Sequence, residues 1–126
     1  SVEINQVKAC VEFMGMLSEI APGCKSTVGL SNVSNGAPSD LRCWLNRTYM
    51  IMLGRNGLYS AIVDAFDEDL IRIARGQRQD IVDLVYSIMD GKDVDIASLP
   101  REMANYAKTT RVLLGQSLYS ASWLDI

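Results

Sequence analysis

The stretch LRCWLNRTYMIMLGRNGLYSAIVDAFDED, from Leu41 to Asp69, changes pattern twice, and its reading decides the fold class. Ser39 or Asp40, just before it, can cap a helix running from Leu41 to about Arg55. Asn56-Gly57 is a stop signal. Leu58 to Asp64, LYSAIVD, then reads as a strand, because an apolar run this short lacks the length of a helix. Asp67, Glu68 and Asp69 put negative charge on the first turn of the next helix, where the helix dipole favours it.

On the N-terminal side lies KSTVGLSNVSNGAPSD, Lys25 to Asp40. It gives a β-type run from Ser26 to Gly29, extending toward Leu30, followed by a loop rich in Ser and Asn. Before it, Val7, Ala9, Cys10, Val11, Phe13, Met14, Met16, Leu17 and Ile20 recur at helical spacing, and Pro22-Gly23 ends that run. The order helix, strand, helix, strand, helix predicts a parallel α/β protein. Strands without polar alternation are expected where both faces of a sheet are covered. Two strands alone leave edges open, so either further strands escape this reading or the chain completes a larger sheet.

Toward the C-terminus, Ile81, Val82, Leu84, Val85, Ile88 and Met89 mark one apolar helix face ending at Gly91. A polar connection from Lys92 to Ala97 leads to a last helix from about Leu99 to Gly115, announced by Ser98 and Pro100. Leu118, Tyr119, Trp123 and Leu124 are expected to dock on the body.

The totals exclude several classes. With 126 residues, 48% hydrophobic and 21% charged, the chain has the size and chemistry of one globular domain. Its net charge of −3 gives no footprint for a phosphate backbone, so nucleic acid is set aside. No apolar run approaches the length of about 18 residues that a membrane span needs, and no export signal is visible. Cys10, Cys24 and Cys43 lack CxxC spacing and read as reduced thiols of a cytoplasmic protein, with no metal site. There is no His, so any chemistry runs on amides, carboxylates, hydroxyls or a cofactor. The helical pattern starts close behind Ser1, which reads as a cut chain.

Functional groups of parallel α/β proteins gather where strands end and loops begin. GLSNVSNG, Gly29 to Gly36, and AIVDA, Ala61 to Ala65, both occupy that position. Together, GLSNVS and LNRTYMIMLGRNGLYSAIVDAFDE resemble the C-terminal half of the methyltetrahydrofolate-dependent corrinoid methyltransferases, a branch of the pterin-binding (β/α)8 TIM barrels. The resemblance covers Asn5 to Ala74 and resumes near Ala104 with TTRVLLGQSLYS. It implies an α/β fold: a C-terminal fragment, residues 1–126, of such a barrel, with about two parallel strands, surrounding helices and an added helical segment at 75–103.

The resemblance further implies that Asn32 is the catalytic amide at N5 of the pterin. Gly29 and Ser31 would let the loop approach the ring, Ile62 would pack beside it, and Arg42 matches an Arg near the site. Asn35 stands where a related enzyme has Gln. The implied reaction moves the methyl group of methyltetrahydrofolate to the Co(I) of a corrinoid carried by a partner protein. The chain would supply only the N5 side, remain inactive alone, and need the N-terminal half of the barrel, within a homodimer.

Other residues have plainer readings. Asp67 and Glu68 are helix-start charges, Asp64 is either a rim hydrogen-bonding group or a cap, and Met50, Met52 and Leu53 are core. Asn46, Arg47 and Thr48 read as packing and hydrogen bonding between helix and loop. Dihydropteroate synthase, which shares the barrel, expects a late Arg-His pair that a chain without His cannot provide. A non-catalytic assembly fragment and a phosphate-binding half-barrel stay open as alternatives.

Overall fold

The computed structural model describes residues 5, 7–9, 11–13, 27–29, 34, 36–56, 60–62, 67–116 and 123–125, with only the backbone described at 27–29 and 60–62. The described elements are strand β1 (Thr27–Gly29), helix α1 (Ser39–Arg55), strand β2 (Ser60–Ile62), and helices α2 (Glu68–Ala74), α3 (Gln79–Met89) and α4 (Arg101–Leu113). Single 3-10 turns occupy Ile96–Ser98 and Trp123–Asp125.

Helix α1 is the centre of the body. Leu41, Leu45, Thr48, Tyr49, Met52 and Leu53 recur at three- and four-residue spacing, and all are buried. Ile51, on another side of the helix, is buried too, so neighbours enclose α1 on more than one face. Helix α3 brings Ile81 and Val85 into the same core, and α4 brings Tyr106, Val112 and Leu113. Burying each such side chain stabilises the fold by about 1.5–3 kcal/mol.

The helix ends explain the boundaries. Pro38, rather than Ser39 or Asp40, holds the cap position of α1, and its carbonyl accepts from the backbone N–H of Leu41 and Arg42 at 3.0 and 3.2 Å. Ser39 and Asp40 lie inside the first turn instead, and no side chain caps the helix. Gly91 and Gly115 end α3 and α4 with φ of 78° and 76°, which glycine adopts without steric cost. The next amides then fold back: Lys92 N–H donates to Ser87 and Gln116 N–H to Arg111, at 3.0 and 2.9 Å. Trp123 docks on α4 through Nε1 donating to Thr109 Oγ1 at 3.1 Å.

The expectation of an α/β fold, the C-terminal part of a pterin-binding (β/α)8 TIM barrel built on two parallel strands, is corrected by this architecture. Every described core residue lies on a helix or helical turn, and the extensive contacts run from helix to helix. Thr27–Gly29 runs parallel to Ser60–Ile62, but among the described residues the pairing spans three residues on each side. That is about half an ordinary strand, and among the described residues it organises no barrel wall. The order of elements misleads because it does not say what each helix covers, and here α3 and α4 cover α1. The added segment at 75–103 holds α3, whose apolar face enters the core. Among the described residues, no helix is long and apolar enough to cross a membrane.

Thr48 Oγ1 is buried without a hydrogen-bond partner, whereas Thr110 Oγ1 donates to the Tyr106 carbonyl at 2.7 Å. Thr48→Val should leave stability unchanged or raise it by up to about 1 kcal/mol, while Thr110→Val should lose about 1 kcal/mol. Urea denaturation of the two variants checks this, and an equal loss in both contradicts it.

Candidate functional site

The parallel register of β1 and β2 sets Gly29 opposite Ile62, the last described residue of each strand. Two residues named from the sequence are thus backbone neighbours, although the side chain of Ile62 lies outside what is described. Ser34 is fully buried in the loop after β1. Arg42, exposed on the first turns of α1, directs Nε to Ser34 Oγ at 3.5 Å, a long contact that ties helix to loop. Ser31, Asn32, Asn35 and Asp64 lie outside the described residues.

A second polar cluster, largely buried, is centred on Arg47. Its Nε donates to both Asp67 oxygens, Oδ1 at 3.0 Å and Oδ2 at 2.9 Å, and Nη2 donates to Oδ1 at 2.7 Å. The side chains are 12% and 8% exposed, so the pair sits largely out of water. Asp69 adds a carboxylate oxygen 3.6 Å from Nη2. The guanidinium lies 5.4 Å from the Trp44 ring centroid, and Trp44 meets Tyr106 edge to face at 4.8 Å. Asp67 also caps α2, its Oδ1 accepting from the Leu70 N–H at 3.1 Å.

Electrostatics follow from this enclosure. Burial works against the charge of Arg47, but the hydrogen bonds to Asp67 outweigh it and hold the guanidinium above its ordinary pKa. Burial pushes the Tyr106 phenol up to about 12, against the opposing pull of Arg47. Burial also raises the Cys43 thiol, which argues against a thiolate nucleophile there. Both Asp67 oxygens are engaged, so Asp67 is suited to holding structure rather than moving protons.

The sequence reads Asp67 as a helix-start charge and Arg47 as packing and hydrogen bonding between helix and loop, without showing that the two meet across 20 positions. No local pattern announces such a pair. The only signal is an Arg on the inner side of α1 and an Asp at a helix start in the same chain, and many chains have both.

An open cleft of about 370 Å³ is lined by Ile88, Gly91, Lys92, Asp93, Arg111 and Gln116. It adjoins Asp90, which pairs with Arg55 in the last turn of α1. Arg42 stands at the other end of that helix, roughly 20 Å away at 1.5 Å per residue, so the cleft is separate from the Ser34–Arg42 contact. Among the described residues, no group of three or more His, Cys, Asp or Glu could hold a metal ion. No protein family, curated protein or solved structure compared with the chain matches it.

Tyr106 provides a pH test. Its folded pKa, raised from 10.0 to about 12, means that its contribution to stability is fully present below pH 10 and is lost as pH rises through about 12. Denaturation midpoints should fall between pH 10 and 12, and Tyr106→Phe should flatten that fall. An equally steep fall in the Phe variant contradicts the assignment.

Proposed function

We propose that this chain supplies the N5 side of a methyltetrahydrofolate site in an enzyme that passes the methyl group to the Co(I) of a corrinoid on a partner protein. The observation that carries the reading is the pairing of Gly29 with Ile62, which brings together two residues that the sequence nominates. The contact of Arg42 with Ser34 supports it by joining a third nominated residue to the same loop. The reading stands on these loop residues and not on a barrel.

The chemistry defines what the loop must do. The Co(I) electron pair attacks the methyl carbon, the carbon–N5 bond breaks, and its electrons go to N5. That nitrogen leaves as a stable amine only if it holds a proton or a strong hydrogen bond as charge develops. Asn32 suits this task, since an amide both donates and accepts and can stay with N5 through the change. Gly29 and Ser31 permit close approach, Ile62 offers apolar contact, and Asn35 and Arg42 add polar contact from the loop side.

The nominated residues leave the pyrimidine edge of the pterin without partners. The proposal assigns those groups to a further segment or chain, takes the chain alone as inactive, and pairs two copies in the working enzyme. A cytoplasmic setting agrees with three cysteines, an odd number without the spacing of a disulfide framework.

Asn32→Ala in the protein carrying its whole pterin site should slow methyl transfer by about 10²-fold or more, the typical cost of one key transition-state donor. Calorimetry should show methyltetrahydrofolate binding and no binding of a phosphorylated sugar. An unchanged rate removes Asn32 from the mechanism, and selective sugar binding overturns the pterin reading.

A further inference from the structure

We propose that the open cleft at the ends of α3 and α4 binds a small carboxylate that also carries a hydroxyl group. Arg111 and Lys92 hold the carboxylate, and Asp93 accepts a hydrogen bond from the hydroxyl. The inference is independent of the methyl-transfer reading. All the lining residues fall within the unbroken described stretch 67–116, and the volume of about 370 Å³ lies at the small end of ligand sites.

The walls follow from the way the two helices are set. Arg78, at the start of α3, pairs with Glu102 in the first turn of α4, while Ile88 of α3 and Arg111 of α4 both line the cleft. The helices therefore run side by side in one direction and deliver their last turns to the same place. Gly91 and Gly115, with φ of 78° and 76°, then reverse the chain and set Lys92 and Gln116 just beyond the two helix ends. Ile88, itself buried, contributes apolar surface.

Charge in this cleft is held but not neutralised. Arg47, Arg55, Arg72 and Arg78 each meet a carboxylate. Arg111 instead donates from Nη2 to the Val94 carbonyl at 3.0 Å, which fixes the guanidinium and leaves its other N–H groups without an acceptor among the described residues. Lys92 and Asp93 line the same cleft, and neither side chain has a hydrogen-bond or ion-pair partner among the described residues. Basic side chains at helix C-termini also answer the partial negative charge there. At these two ends, however, backbone amides already take up carbonyls of the last turns, Lys92 N–H donating to Ser87 and Gln116 N–H to Arg111.

The ligand class follows from these groups. A guanidinium presents parallel N–H groups that match the two oxygens of a carboxylate, and the Lys92 ammonium adds a second positive charge. Asp93 sets the limit. With two positive charges and one negative in the lining, a singly charged ligand is favoured over a dianion, and an ionised carboxylate can only accept, so its partner must donate.

Titration of the chain with lactate, propionate and inorganic phosphate, followed through the backbone amide signals of Lys92, Asp93 and Gln116, tests the proposal. Lactate should shift these signals saturably with Kd on the order of 1 mM, about 10-fold or more tighter than propionate or phosphate. Lys92→Gln and Asp93→Asn change exposed side chains and leave the fold intact. The first should weaken lactate binding by about 3-fold or more, and the second should cut the advantage of lactate over propionate to about 3-fold or less. Shifts that do not saturate overturn the proposal, as do saturable shifts that both variants leave unchanged. Propionate or phosphate binding as tightly as lactate also overturns it, because the cleft would then select charge alone.

Discussion

The ion pair between Arg47 and Asp67 is the constraint on which most of the structure turns. Taking two charges out of water costs several kcal/mol per ion before any attraction is counted, and such a pair survives only when its geometry is good and its remaining hydrogen-bonding groups are satisfied. Here the fork matches the carboxylate, Asp67 gives its spare capacity to the cap of α2, and Trp44 shields the guanidinium face. Neighbouring features follow from that enclosure. Tyr106 is held neutral well above its ordinary pKa, and the Cys43 thiol is raised in the same surroundings.

Around this point the helices divide the labour. Helix α1 carries the apolar stripe that the rest of the body covers, α3 and α4 cover it, and α2 is set by its capping aspartate. The far end of α1 has a lesser version of the same arrangement. Arg55 donates to the Tyr86 carbonyl at 2.9 Å, lies 4.9 Å from that ring and pairs with Asp90. That pair is exposed enough to be worth little alone, so α1 is anchored firmly at its middle, at Arg47, and loosely at its C-terminal end.

Much of the helical layout was legible in the sequence. Asn56, Gly91 and Gly115 marked helix ends because turn chemistry is local, and the spacing of Ile81, Val85 and Ile88 marked a face because periodicity is local too. The barrel was not legible and proved a wrong inference. A short apolar run such as LYSAIVD shows burial without showing how much of it pairs; its described part, Ser60–Ile62, is a strand. Element order could not reveal that α3 and α4 pack on α1. Of the nominated residues, Gly29 and Ile62 are register partners and Arg42 contacts Ser34, because strand ends and loop chemistry are readable in one dimension. The pairing of Arg47 with Asp67 was not legible, because its partners are 20 positions apart and each has an ordinary local explanation.

The energetic coupling of Arg47 to Asp67 is therefore the quantity on which this account rests. A double-mutant cycle with Arg47→Met, Asp67→Asn and both together, read by urea denaturation, measures it directly. The account predicts a coupling of about 2 kcal/mol or more, because each single change strands a buried partner that the double change removes. Single-variant losses that simply add, within about 0.5 kcal/mol, would contradict it.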